Sequence, residues 1–246
     1  MIPKVIHYCW FGRAKKPKSV QKYIDAFHCL KPEGYEIIEW NEESYPLEGN
    51  TYLLNAYKQK KWAHVSDFVR LDVLYNYGGI YLDTDIEIVA GFEDLLNLNL
   101  FMGFMWDCNL GTAVIGVSKE NPIIHNLRDK YLKEEISLTS PNNDLFTRYF
   151  LNSVSGFKLN GKEQLLPGSI KIFDKCIFEH PSLFKRKNKT IHHFSQSWKT
   201  TKKFKSKLKI MVVSIMGLYL YRKYICKKSL RISPFYERYK HDLRTK

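Results

Sequence analysis

The chain has 246 residues, 44% of them hydrophobic, enough for one sizeable core and too few for several independent domains. Its five cysteines (Cys9, Cys29, Cys108, Cys176, Cys226) are scattered without a CxxC pair, which argues against a disulfide framework or a zinc site and fits a reducing compartment. The net charge of +14 is lopsided: 19 of the 39 basic residues lie from Lys185 onward, against only Glu237 and Asp242, so a slightly acidic body precedes a strongly basic tail.

The opening MIPKVIHYCWFG is too short and too mixed for a signal peptide, and no run reaches the roughly 18–20 apolar residues of a membrane span. The expectation is a cytoplasmic protein. Residues 3–10 predict a strand closed by the Phe11-Gly12 turn. Val20, Tyr23, Ile24, Phe27 and Leu30 recur at helical spacing over 18–30. Pro32 and Gly34 break the chain before a second strand at 35–40, and a helix near 51–60 follows. Over 62–77 apolar residues occupy almost every side, as in a helix buried nearly all round. Asp67, Arg70 and Asp72 on that helix are costly unless paired or used, and Asp67 and Arg70, at i and i+3, share a face.

Gly78-Gly79 predicts a left-handed helix cap. A short buried strand at 80–82 runs into Asp83-Thr84-Asp85 and a further strand at 86–89. Strands at 100–105 and 112–117, helices at 121–135 and 142–153, and short strands within 164–173 and 189–194 complete an alternating pattern, that of an α/β layered fold.

A bare Asp-x-Asp is a weak signal, but this one stands at the end of a buried strand, where ligands gather in open α/β sheets. Two carboxylates there repel each other unless a cation or donors compensate. A hard divalent cation shared with phosphate oxygens meets that need and would neutralise charge on a departing diphosphate. A turn whose aspartates accept backbone N–H bonds accounts for the same residues equally well.

The run from Ser66 to Asp85, of the pattern SDxxRxxxLxxxGGxYxDxD, resembles the sugar-binding region of glycosyltransferase family 32, which includes bacterial capsule enzymes and fungal initiating mannosyltransferases. It is also similar to the glucosyltransferase domain of the large clostridial toxins. Residues 2–12, Glu39-Trp40-Asn41, 112–122 and the His192-His193…Ser197-Trp198 segment extend the resemblance to residue 198. Where relatives often carry Thr-Gly-Pro, this chain has Thr139-Ser140-Pro141.

The resemblance implies a GT-A fold, a Rossmann-like mixed sheet between helices, over 1–199. It implies retaining transfer of a hexose from a nucleotide sugar, UDP-galactose or another UDP-hexose first and GDP-mannose as the alternative, to a glycan or lipid-linked acceptor. By position, Trp10 would stack on the base, or remain a core tryptophan. Asp67 and Arg70 would bind sugar hydroxyls and the diphosphate side, with Tyr81 closing the sugar pocket. Asp83 would contact ribose and sugar, and Asp85 would be the principal ligand of Mn2+ or Mg2+. Of the adjacent His192 and His193, which face opposite ways in a strand, His193 is preferred as a further ligand. Ser197 and Trp198 would cover the diphosphate.

From residue 200 the sequence is a basic helical tail. The twelve-residue apolar run 210–221 between lysine clusters suits an anionic membrane surface, and a surface helix packed on the body fits it too. No nucleic-acid motif accompanies the charge. A non-catalytic polyanion-binding protein with a decayed site is the rival reading, and it would be expected to have lost one of Asp67, Arg70, Asp83 or Asp85.

Overall fold

The structure is a computed structural model that describes residues 1–133, 135–182, 187–195 and 203–245, with backbone only for 203–212 and 214–216. Nine strands and eight α-helices are formed among the described residues. The strands are β1 (Val5–Cys9), β2 (Glu36–Trp40), β3 (Gly79–Leu82), β4 (Ile86–Ile88), β5 (Leu100–Trp106), β6 (Asn109–Val117), β7 (Gln164–Leu166), β8 (Ile170–Phe173) and β9 (Thr190–His192). The helices are α1 (Lys18–His28), α2 (Thr51–Lys58), α3 (Trp62–Tyr77), α4 (Pro122–Leu132), α5 (Asn142–Ser153), α6 (Lys175–Phe178), α7 (Lys203–Ile232) and α8 (Tyr236–Arg244).

Seven strands make one mixed sheet in the order β2-β1-β3-β6-β5-β8-β7. β1 runs parallel to β2 and β3, while β6 lies antiparallel to both β3 and β5. The reversal of strand direction therefore falls between β3 and β6, beside the strand that carries the aspartates. β4 and β9 form a separate ribbon, with Ile86 opposite His192. On one face of the sheet, Val65, Val69 and Leu71 of α3 pack with Leu110 and Phe150; on the other, Val20, Ile24 and Phe27 of α1 pack with Ile6, Ile80 and Phe101. Apolar cover on both faces explains why β3 reads as an uninterrupted apolar run rather than an alternation.

Local chemistry sets several boundaries. Asn50 accepts from Leu53 N and Asn121 from Ile123 N, so each caps the helix that follows, and Pro122 occupies the first turn of α4. The expected left-handed cap after α3 is corrected in one angle: Gly78 takes the positive φ of such a cap, 66, but its ψ of −164 turns the chain straight into β3. Gly79 has φ 102, and a Cβ there would lie 2.5 Å from Val5 O, so glycine is required for β3 to approach β1. The segment 164–173 is two antiparallel strands joined by a turn in which Gly168 and Ser169 both take positive φ.

The chain after the kink at Gly217 (φ 74) lies against the body. Arg222, Cys226 and Phe235 are buried, and Asp242 accepts from Leu159 N at 2.8 Å. Lys223, Tyr224, Lys227, Lys228 and Arg231 form the exposed side of that helix. Among the described residues no helix is long and apolar enough to cross a membrane.

Candidate active site

A cavity of about 400 Å³ opens at the carboxyl ends of β1 and β3, lined by Trp10, Trp62, Arg70, Asp83, Asp85 and His192 among others. This is where an open α/β sheet offers loop ends to a ligand. α3 passes beneath it and contributes Arg70, a buried charge that the helix must compensate. Arg70 Nη2 donates to Asp83 Oδ1 at 3.2 Å and lies 3.2 Å from Asp67 Oδ1, while Nη1 donates to Thr112 O at 2.6 Å. Its guanidinium stands 4.6 Å from the centre of the Tyr81 ring, and Tyr81 is buried below it. One cation therefore serves both carboxylates, which explains why charge is tolerated on an almost wholly buried helix.

Asp67 is nearly buried, and burial pushes its carboxyl up to about 6, against the pull of Arg70. Asn142, at the start of α5, donates to Asp67 Oδ1 at 3.2 Å and accepts from Tyr131. In the sequence Asn142 appeared only in the run 139–144 that departs from the family pattern, and it joins the site because the start of α5 reaches Asp67 of α3.

Asp85 is compensated from the opposite side. His192 Nε2 is 3.2 Å from Asp85 Oδ1, and Ser195 donates to Oδ2 from both its backbone N (2.7 Å) and its hydroxyl (2.9 Å). Burial disfavours the Asp85 charge, but His192 and Ser195 outweigh it and hold the carboxyl well below the usual range. His192 Nδ1 meets the buried Glu179 at 2.6 Å. Burial opposes the charge on this ring as well, and Glu179 and Asp85 overcome it, pushing the imidazole up to about 10. Phe194 stacks on the ring with centroids 3.8 Å apart.

Ligand atoms of Asp83, Asp85 and His192 lie within 4.8 Å of one another. Two carboxylate oxygens and one imidazole nitrogen suit a hard or borderline divalent cation such as Mg2+ or Mn2+. With Nδ1 turned to Glu179, Nε2 is the nitrogen left for a metal, which would have to displace the proton that Nε2 now shares with Asp85.

The preference for His193 is corrected by this geometry. Its Nε2 pairs with Glu87 at 2.7 Å and its ring stacks on Tyr23, so it faces away from the aspartates. The β4–β9 register, with His192 opposite Ile86, decides which of two adjacent histidines faces inward, and that register is set by residues about a hundred positions apart. Trp10 lines the cavity at the end of β1, its Nε1 donating to Ala14 O at 2.7 Å. Tyr81 lines it too. Ser197 and Trp198 lie outside the described residues. Glu179 carried no signal in the sequence, because its partner His192 is thirteen residues on and brought back by a separate strand.

Residues 17–101 match the family described as a glycosyltransferase sugar-binding region containing a DXD motif. Over 199 residues the chain is 27% identical to an uncharacterized glycosyltransferase of Acanthamoeba polyphaga mimivirus, a match covering 76% of this chain and 77% of that one. Over 134 residues it is 29% identical to inositol phosphoceramide mannosyltransferase 3 of Schizosaccharomyces pombe, covering 50% of this chain and only 35% of that protein. Among solved structures, the PaToxG glycosyltransferase is similar with a TM-score of 0.50 and 22% identity, over 63% of this chain and 70% of that one. The mixed sheet between helices is a GT-A type Rossmann-like α/β fold, and α3, β3 and the aspartates after it fall inside the segment that matches the sugar-binding family.

Proposed function

We propose that this chain is a glycosyltransferase: a metal-dependent, retaining hexosyltransferase that takes its sugar from a UDP-hexose and passes it to a glycan acceptor. The observation that carries the proposal is the convergence of Asp83, Asp85 and His192 at one end of a cavity that Trp10 lines from β1. Trp10 would offer an aromatic face to the base, and the three ligands would face the diphosphate. A bound Mn2+ or Mg2+ would supply Lewis-acid neutralisation of the departing diphosphate.

The remaining work falls to the chain itself. Arg70, itself paired with Asp67 behind the cavity wall, fixes Asp83, so that a hydroxyl of a bound sugar would meet an oriented carboxylate acceptor. Tyr81 and Trp62 limit water at that floor. Among the described lining residues Asp83 and Asp85 are the only carboxylates, and both are engaged by cationic side chains. Carboxylates so engaged are poor nucleophiles, which favours front-face displacement over a covalent intermediate. Mannose from GDP-mannose is the second reading, favoured by the name of the yeast relative. A lipid-linked acceptor at an anionic membrane surface would agree with the exposed basic side of α7.

The test is nucleotide release from a panel of UDP- and GDP-sugars with and without Mn2+, with binding measured in parallel. Mn2+-dependent release from one donor, lost in Asp85→Asn, would support the reading and name the sugar. Failure to bind any nucleotide with Mn2+ would overturn it.

A further inference from the structure

Among the described residues, α7 reaches the site through Arg222, and the contact has an unusual form. Arg222 is buried at 5% exposure, beyond the kink at Gly217. Its Nη2 donates to two successive backbone carbonyls, His192 O at 3.2 Å and His193 O at 2.9 Å. Its guanidinium lies 4.2 Å from the centre of the Phe194 ring, the ring that stacks on His192. Phe194 itself takes φ 49, a left-handed conformation that a phenylalanine rarely adopts without outside support.

Helix docking alone does not explain an arginine here. A buried guanidinium costs stability unless its donors are satisfied, and Arg222 Nε has no hydrogen-bond partner among the described residues. An apolar side chain of similar length would anchor the helix at lower cost. The donors are spent instead on the carbonyls of His192 and His193, where β9 ends and the chain turns over Asp85. That turn delivers His192 Nε2 and the two Ser195 donors to Asp85.

We infer that Arg222 is a positioning residue of the metal site, locking the 192–195 turn so that His192 stays aimed at Asp83 and Asp85. The basic C-terminal segment is then part of the catalytic unit rather than an appendage to it. The inference rests on the transferase reading for its metal, and on geometry alone for the turn.

The test uses the full chain and Arg222→Met, which keeps much of the side-chain volume and removes the donors. Two quantities are read: Mn2+ affinity by calorimetry, and amide hydrogen exchange over 191–195. Arg222→Met should weaken Mn2+ binding about tenfold, as losses around metal ligands usually do. It should also speed exchange at His193 N and Ser195 N, which donate to Asp85, with the thermal midpoint little moved. In Arg222→Ala, added methylguanidinium should recover part of the affinity, which a general packing defect would not show. Unchanged affinity together with unchanged exchange in Arg222→Met would overturn the inference.

Should Arg222→Met fail to fold, Phe194→Leu gives the same decision: it removes the ring between Arg222 and His192, and wild-type Mn2+ affinity in it would count against the lock. If the wild-type chain itself binds no Mn2+, the transferase reading fails separately, and amide exchange alone decides the role of Arg222.

Discussion

Arg70 and Asp83 meet at 3.2 Å across the junction of α3 and β3, with Asp67 at the same 3.2 Å from the shared Nη2. Removing the cation would leave two carboxylates facing each other in a mostly buried setting. Arg70→Met should therefore cost about 3 kcal/mol, the scale of breaking a buried ion pair from one side. Urea unfolding measures this directly, and a loss below about 1 kcal/mol would mean the carboxylates are well solvated. Arg70→Lys should recover little, because a single ammonium cannot reach Thr112 O and both aspartates together.

His192 and His193 should separate cleanly. His192→Ala is expected to weaken Mn2+ binding about tenfold or more. His193→Ala, which breaks only a partly exposed pair with Glu87, should leave it within about twofold. Calorimetric titration of both variants checks the assignment, and the reverse order of effects would restore His193 as the ligand.

Glu179→Gln removes the charge behind His192 and keeps an acceptor near Nδ1. The expected result is weaker Mn2+ affinity with near-normal folding, since the buried Glu179 carboxylate is compensated mainly by that ring. A variant that binds Mn2+ normally would show that Glu179 serves packing against Gly111 instead.

His7 predicts a pH effect on stability. It is fully buried, its Nε2 donates to Gly78 O at 2.8 Å, and its Nδ1 accepts from Trp40 Nε1 at 3.1 Å. Burial pushes its pKa down to about 4, only partly offset by the Gly78 bond. The unfolded chain takes up this proton near pH 6.5, so the stabilisation is complete above that pH and is lost as pH falls towards 4, by roughly 3 kcal/mol in all. Asp67, raised to about 6, acts in the opposite sense: its contribution is complete near pH 4 and is lost as pH rises to 6. Comparing wild type with His7→Gln isolates the histidine, and the variant should lose less stability between pH 7 and 5. Parallel pH curves would reject the assignment.

Gly79→Ala should be severe. Its Cβ would meet Val5 O at 2.5 Å, on a backbone with φ 102. A cost of about 3 kcal/mol or more is expected by chemical denaturation.

Much of this was legible in the sequence, and the boundary has a physical cause. α3 could be placed at Trp62–Tyr77 because its apolar residues and flanking glycines are local signals, and the Asp67–Arg70 pair follows from helical spacing. The succession of strands along the chain up to β6 follows the alternation of apolar segments, but their order in the sheet does not. The choice between His192 and His193 was not legible, because it depends on the register of β9 against a strand a hundred residues earlier. Glu179, Asn142 and Arg222 were missed for the same reason: each reaches the site from a distant element, and none stands in a motif. The segment 164–173 holds two strands split by Pro167-Gly168-Ser169, a turn signal that the sequence does carry.

The β4–β9 ribbon has a consequence for how the molecule is made. Ile86 and His192 pair across most of the body, so the imidazole joins the aspartates only after a long loop has closed. While the ribosome is still extending the chain, Asp83 can already follow β3, held by Arg70, but Asp85 still lacks His192 and Ser195. Competence would thus arrive only after residue 195 has been made, and a nascent chain would carry the motif long before it could use it.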